Sequence, residues 1–158
     1  MEKIPSFTIN HLVLIPGVYV SRIDSLPGDQ RLTTFDCRMT APNREPALSI
    51  PALHAIEHLA ATFLRNDSEW KDRIVYWGPM GCCTGNYLIV KGEPTPDEVR
   101  RLLIRVFEFI SDYEGQVPGA TPRDCGNYLL MNLPEARIVA KRYLSVLKAE
   151  DCPLVYPD

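Results

Sequence analysis

The sequence predicts an α+β domain, with an antiparallel sheet of about four to five strands and helices packed on one face. Segments rich in β-branched and aromatic residues follow one another with only short turns between them, which favours antiparallel pairing. Three longer segments repeat apolar residues at helical spacing, and each begins at a capping residue. We expect residues 1–158 to form a single domain, because no repeat, low-complexity tract or long linker divides the chain.

Five segments are predicted to be strands, bounded mostly by prolines and glycines. In the third of them, Asp36 and Arg38 fall on one face because side chains alternate along a strand. The last two are joined by a glycine-rich connector, residues 78–85, that contains Cys82 and Cys83. The predicted strands cover residues 6–15, 18–24, 31–40, 72–77 and 86–91.

Three helices are predicted from their start signals and apolar stripes. The first covers residues 50–65, with Ser49 as its cap and Pro51 in its first turn. The second begins at Thr95, with proline next and Glu98 completing a capping box. The third begins at Asn132 and ends near residue 148.

The composition is that of a globular protein without an obvious polyanionic partner. Apolar residues make up 46% of the chain and charged residues 23%, while the net charge is −3. We therefore expect no nucleic-acid partner, and no membrane partner because the apolar runs are too short to span a bilayer. The first residues show no apolar signal core, and the five cysteines are odd in number, so we expect a cytoplasmic protein without a disulfide framework.

The most informative stretch is His54-Ala-Ile-Glu57-His58, which lies in the first predicted helix. Residues four apart share a helix face, so both imidazoles can point at one metal ion, with Glu57 beside them to move a proton. The third ligand could be a cysteine, an aspartate or a distant histidine. Cys125, in a polar loop, would complete a two-histidine, one-cysteine set with an open position for catalysis. Two ordinary histidines on an amphipathic helix, and a small buried thiol at 125, remain the alternatives.

Cys82 and Cys83 are adjacent, and neighbours on an extended chain point in opposite directions. One thiol could therefore face a pocket while the other packs. A thiol near a metal ion or a basic group ionises more easily, and can then take up and return protons. The alternative is that both cysteines are packing residues.

Six segments together form a more specific pattern than any one of them. They are Ser-Phe-Thr-Ile-Asn-His at 6–11, Phe-Asp-Cys-Arg-Met at 35–39, Ala-Pro-Asn at 41–43, His-x-x-Glu-His-Leu at 54–59, Pro-Met-Gly-Cys-x-Thr-Gly at 79–85, and Cys-Gly at 125–126. In order and nearly in spacing, they resemble the S-ribosylhomocysteine lyase (LuxS) family. The resemblance spans about residues 6–145.

The resemblance implies a carbon–sulfur lyase, which cleaves S-ribosylhomocysteine to homocysteine and 4,5-dihydroxy-2,3-pentanedione, the precursor of the signal autoinducer-2. It implies one Fe(II) per subunit, replaceable by zinc or cobalt, with Cys82 and Glu57 as the acid/base groups of two enolisations and a β-elimination. It also implies a homodimer whose two sites lie at the subunit interface. By position, Arg38 lies beside the catalytic cysteine, and Ser6, His11 and Arg38 are the substrate-binding residues that the resemblance implies.

Two positions depart from the family pattern. Cys83 stands where many relatives have Arg or Gln, and Tyr76 stands where many have aspartate.

Two other functions compete with the lyase. The first competing function is a His-x-x-Glu-His metallopeptidase, in which Glu57 would activate water. Its third ligand would be a glutamate on a later helix, for which Glu135 is available. The second is a metal-binding protein without turnover.

Overall fold

The computed structural model describes residue 4 and residues 7–157, and it contains an antiparallel sheet and three helices within them. The elements in chain order are β1 (Gly17–Leu26), β2 (Gln30–Arg38), α1 (Ile50–Asn66), β3 (Ile74–Pro79), β4 (Gly85–Lys91), α2 (Pro96–Asp112) and α3 (Leu133–Lys148).

The sheet has the order β1-β2-β4-β3, and every neighbouring pair is antiparallel. The turn between β1 and β2 needs left-handed backbone, which Gly28 supplies at φ +77° and Asp29 at φ +57°. In the centre of the sheet, Asp36 of β2 lies opposite Tyr19 of β1 and Tyr87 of β4. The predicted α+β class with four to five strands is confirmed.

One face of the sheet, the inner face, packs against the helices. Val18, Phe35, Cys37, Leu88 and Val90 project from its strands and are fully buried. They share one apolar core with side chains of all three helices, among them Ile56, Leu59, Val106, Phe107, Ala140 and Leu147. The shared core supports the single domain proposed for residues 1–158, which stays a prediction.

The helix starts are those that the sequence predicts. Ser49 accepts a hydrogen bond from the amide of Ala52, and Asn132 accepts one from the amide of Glu135. Thr95 and Glu98 form a reciprocal capping box. The Ser49 cap fixes where α1 begins, and hence which turn carries the two histidines.

The strand predicted at residues 6–15 is wrong for the residues that the structure describes there. Residues 7–15 form turns, with short-range backbone bonds such as Val13 N–H to the Asn10 carbonyl. The Asn10 side chain also accepts from the Leu12 amide at 3.1 Å. Such local bonds compete with strand pairing, and the run from Leu12 to Ile15 lacks the alternation of a half-buried strand.

Candidate functional site

Three side chains with metal-binding atoms converge at the surface of α1. His54 and His58 lie one turn apart, with ring centroids 4.9 Å from each other. Cys125 reaches them from a loop 71 residues away in sequence, and its Sγ lies 3.4 Å from Nε2 of His54. Ligand atoms of the three residues all lie within 4.8 Å of one another. The structure therefore brings together the three residues predicted as metal ligands.

Backbone carbonyls orient both imidazole rings. Nδ1 of His54 lies 2.8 Å from the Leu130 carbonyl, and Nδ1 of His58 lies 2.8 Å from the Pro118 carbonyl. A carbonyl oxygen only accepts, so each Nδ1 is the protonated nitrogen, and Nε2 is the nitrogen that a neutral ring would offer as a ligand. This arrangement is typical of metal-binding histidines, whose second nitrogen is held by a hydrogen bond.

The loop between α2 and α3 supplies the carbonyls and the cysteine, and it fits closely against His58. Its local bonds include the Cys125 amide to the Thr121 carbonyl at 3.0 Å, and the Asn132 amide ties its end to Pro51 of α1. Gly119 has a φ of +71°, and a Cβ there would lie 3.2 Å from Nδ1 of His58. Glycine at 119 therefore lets the loop backbone approach the histidine.

The donor set fits a divalent transition metal. Two neutral imidazoles and one thiolate suit iron or zinc better than magnesium or calcium, which prefer oxygen ligands. Three protein ligands leave a coordination position open for a substrate, as catalytic sites require. All three side chains are half-buried, so a small molecule can reach them.

A second cluster surrounds Cys82 in the loop between β3 and β4. Nη1 of Arg38 donates to the Thr84 hydroxyl oxygen at 2.5 Å and lies 3.9 Å from Sγ of Cys82. The Thr84 hydroxyl lies 3.0 Å from the same sulfur. If Cys82 ionises, a cation and a hydroxyl donor both face its negative charge. The predicted position of Arg38 beside Cys82 agrees with this contact.

Arg38 is held in this position by a buried ion pair. Nε and Nη2 of Arg38 donate to the two carboxylate oxygens of Asp36 at 3.0 and 2.6 Å, and both side chains are almost fully buried. Burial lowers the pKa of Arg38, but the hydrogen bond and the charge of Asp36 outweigh it and raise that pKa. The guanidinium therefore stays charged and keeps one nitrogen for the thiol cluster.

The other described cysteines lie in different surroundings. Cys37 is buried in the core, and burial raises its pKa well above the usual value. Burial also raises the pKa of Cys152. Cys83 adopts φ +58° and packs against the core, whereas Cys82 is exposed. Of the two alternatives that the sequence leaves open for these adjacent thiols, the observed exposures favour the one in which only one of them packs.

The remaining predicted site residues do not join either cluster within the described chain. The Glu57 carboxylate is half-buried and has neither a hydrogen bond nor an ion pair among residues 7–157. His11 contacts the Ile9 carbonyl through Nδ1 at 2.9 Å, and nothing described links it to Cys82 or to the three predicted ligands. Ser6 lies outside the described residues. The roles of all three stay predictions.

Sequence reasoning missed the groups that orient the site. The alternation of β2 places Asp36 and Arg38 on one face, and that signal could have revealed their pairing. The carbonyls of Pro118 and Leu130 leave no trace in sequence, because any residue type offers a carbonyl. Tyr156 also escaped notice, although its hydroxyl donates to Asp36 at 2.9 Å across 120 residues of chain.

Comparisons with known proteins identify close relatives of the whole chain. A family model described as S-Ribosylhomocysteinase (LuxS) matches residues 4–151. The S-ribosylhomocysteine lyase of Phocaeicola vulgatus is 58% identical over 91% of this chain and 89% of that protein. The enzyme of the same name from Porphyromonas gingivalis W83 is 56% identical over the full length of both, and that from Borreliella burgdorferi ZS7 is 45% identical over 93% of each.

Removing any one of the three predicted ligands should release most of the bound metal. His54→Ala, His58→Ala and Cys125→Ala each leave two protein donors, which form a poor chelate. His11→Ala is the matched control and should keep its metal, because His11 lies outside the cluster. Elemental analysis of protein purified without oxygen measures the metal content. Full occupancy in Cys125→Ala would show that the third ligand is another residue.

Gly119→Ala should weaken metal binding, because the new methyl group would press against the His58 ring and displace it from its carbonyl partner. Disturbing such a partner typically reduces affinity by about 10–100-fold. Gly115→Ala is the control, since Gly115 also has positive φ, at +99°, but open space around its Cβ position. Competition with a chelator measures the affinity. Equal weakening in both variants would mean that loop strain, and not contact with His58, is responsible.

Proposed function

Because the chain belongs to the S-ribosylhomocysteinase (LuxS) family, we propose that it cleaves the thioether of S-ribosylhomocysteine in a metal-dependent reaction. The products are homocysteine and 4,5-dihydroxy-2,3-pentanedione, the autoinducer-2 precursor. Family membership makes the protein a carbon–sulfur lyase. The observation that carries the finer proposal is the presence, in one chain, of a metal-binding trio and a separate exposed thiol beside a buried arginine.

The reaction needs protons moved between neighbouring carbons of the sugar. A thioether breaks by β-elimination only when the carbon that loses its proton lies next to a carbonyl. The sugar aldehyde must therefore move along the chain by two enolisations, each of which takes a proton from one carbon and delivers one to its neighbour. In the last step a further proton is removed, the carbon–sulfur bond breaks, and the homocysteine sulfur is protonated.

Cys82 and Glu57 are the proposed acid/base groups for these transfers. Cys82 is exposed, and Nη1 of Arg38 and the Thr84 hydroxyl lie 3.9 and 3.0 Å from its sulfur. Glu57 is half-buried and lies next to His58 in sequence. Two groups of different type can then serve opposite sides of one substrate.

We propose Fe(II) as the metal, one per subunit, with zinc or cobalt as substitutes. His54, His58 and Cys125 would hold it through Nε2, Nε2 and Sγ, since the carbonyl contacts occupy Nδ1 of each histidine. When bound, the metal supplies Lewis-acid chemistry to the oxygen atoms of the sugar. The ligand residues themselves then take no part in proton transfer.

A metallopeptidase is the weaker explanation of the same motif. Its third ligand would be a glutamate such as Glu135, but that carboxylate accepts a hydrogen bond from the Asn132 side chain at the start of α3. The described residue that joins the histidines is Cys125. Peptide hydrolysis by such a site would also not require the cluster of Arg38, Thr84 and Cys82.

We further propose a homodimer with active sites shared between subunits, in the cytoplasm. His11 has no described contact with the other site residues of its own chain, which is consistent with a role in the partner's site. Its neighbourhood exposes several large apolar side chains: Phe7, Leu12, Val13 and Ile15.

Within residues 7–157, no helix combines the length and apolarity needed to cross a membrane.

Cys82→Ala and Glu57→Gln should retain metal and lose homocysteine release by about a hundredfold or more, the usual contribution of a positioned acid/base group. The assay titrates released thiol after anaerobic, Fe(II)-loaded protein is incubated with S-ribosylhomocysteine. Cys83→Ser is the matched control, one residue away, and should stay active. An inactive Cys83→Ser variant together with an active Cys82→Ala variant would show that the catalytic thiol is Cys83 and that the proposed assignment to Cys82 is wrong. No thiol release by the unaltered protein would refute the function itself.

Leu12→Arg should convert the dimer to monomer and abolish activity, because it places a charge in the proposed apolar interface. Leu12 is 71% exposed, so the substitution leaves the fold of the single chain intact. Ile138→Arg, at a residue 69% exposed on α3, is the control and should remain dimeric and active. Sedimentation velocity gives the assembly state. A fully active monomer at micromolar concentration would exclude shared sites.

A further inference from the structure

The last residues that the structure describes, 152–157, run against β1 and end close to the outer face of the sheet, the face opposite the helices. The Val18 amide donates to the Pro153 carbonyl at 2.9 Å. The Tyr156 ring stacks on Tyr19 of β1, with centroids 4.6 Å apart and planes 11° apart. We name this stretch the C-terminal segment. Its backbone bond and ring stack hold it to the sheet.

The Tyr156 hydroxyl belongs to the hydrogen-bond chain that ends at Cys82. It donates to Oδ2 of Asp36 at 2.9 Å, and the same oxygen accepts from Nη2 of Arg38 at 2.6 Å. Oδ1 of Asp36 accepts from Nε of Arg38. The carboxylate is thus fixed on one side by the guanidinium and on the other by the tyrosine. Only Nη1 of Arg38 is left to face Thr84 and Cys82.

Tyr156 remains a hydrogen-bond donor at any pH at which the protein would work. Burial raises the pKa of its hydroxyl well above the usual value, and the negative charge of Asp36 raises it further. The hydroxyl proton therefore stays in place and points at the carboxylate. A bidentate ion pair has a defined plane, so a group that fixes the Asp36 carboxylate also fixes the direction of Nη1.

We infer that Tyr156 is a positioning residue for the reactive thiol: its hydroxyl orients Asp36, which orients Arg38, which holds a positive charge beside Cys82. The inference rests on the proposed role of Cys82 as an acid/base group. It assigns the C-terminal segment a part in catalysis although that segment touches none of the predicted catalytic or ligand residues directly.

The test compares Tyr156→Phe with Tyr19→Phe, both in a Cys83→Ser background so that Cys82 is alkylated without its neighbour. Each variant keeps the stacked ring pair and loses one hydroxyl. The Tyr19 hydroxyl donates to the Ile15 carbonyl and not to Asp36, which makes it the matched control. Iodoacetamide labelling at neutral pH, followed by peptide mass spectrometry, gives the alkylation rate of Cys82. Homocysteine release gives kcat and KM.

Tyr156→Phe should slow Cys82 alkylation and lower kcat by about threefold to tenfold, the size that the net contribution of one typical hydrogen bond gives. KM and metal content should not change, and Tyr19→Phe should match its parent. The inference is overturned if the two variants behave alike, whether both are slowed or neither is. Alkylation needs no turnover, so the comparison still decides the inference if the unaltered protein releases no homocysteine.

A double-mutant cycle guards against a general loss of packing. In an Asp36→Ala background, which has no side-chain oxygen for the hydroxyl to donate to, adding Tyr156→Phe should slow alkylation no further, because the hydroxyl acts through the carboxylate. Additive slowing would show that Tyr156 acts on Cys82 by another route and would overturn the inference. Thermal unfolding of each variant sets the assay temperature below the onset of melting.

Discussion

The buried ion pair between Asp36 and Arg38 is the interaction on which the outer face of the sheet depends. Burying two charges costs about as much as their attraction returns, so such a pair adds little to stability, but removing one partner costs about 3–5 kcal/mol. The pair therefore constrains the relative positions of the segments that contact it. It joins β2 to the Cys82 loop through Thr84 and to the C-terminal segment through Tyr156. Asp36 and Tyr156, 120 residues apart in sequence, must therefore both be positioned relative to the plane of the Arg38 guanidinium.

The candidate metal site of His54, His58 and Cys125 is constrained in a different way, by backbone and not by charge. Helical spacing alone aligns His54 and His58, but it leaves each ring free to rotate. The carbonyls of Pro118 and Leu130 remove that freedom, and they come from the same loop that brings Cys125. One loop therefore fixes both the third ligand and the orientation of the first two. This arrangement requires the loop backbone to approach the His58 ring closely at Gly119, where a side chain would contact the ring.

Prediction from sequence succeeded where local signals decide the structure. Capping residues and apolar stripes gave the helices, and alternation placed Asp36 and Arg38 on one side of β2. It failed at residues 7–15, where β-branched residues suggest a strand but Asn10 and the turns it favours bind the backbone locally. The trio at His54, His58 and Cys125 was predictable because metal ligands belong to few residue types. The contacts of Tyr156 were not, since only the folded sheet brings it to Asp36.

The described cysteines differ in burial and in the charged groups that lie beside them. Cys37 is sealed in the core and Cys152 is partly buried, so the neutral thiol is favoured at both. Cys83 has a left-handed backbone conformation and packs against the core, whereas Cys82 is exposed. Cys125 lies beside two imidazoles that can share a metal ion with it. Cys82 alone among them combines exposure with a neighbouring fixed cation, and that cation is fixed only while Asp36 is held from both sides.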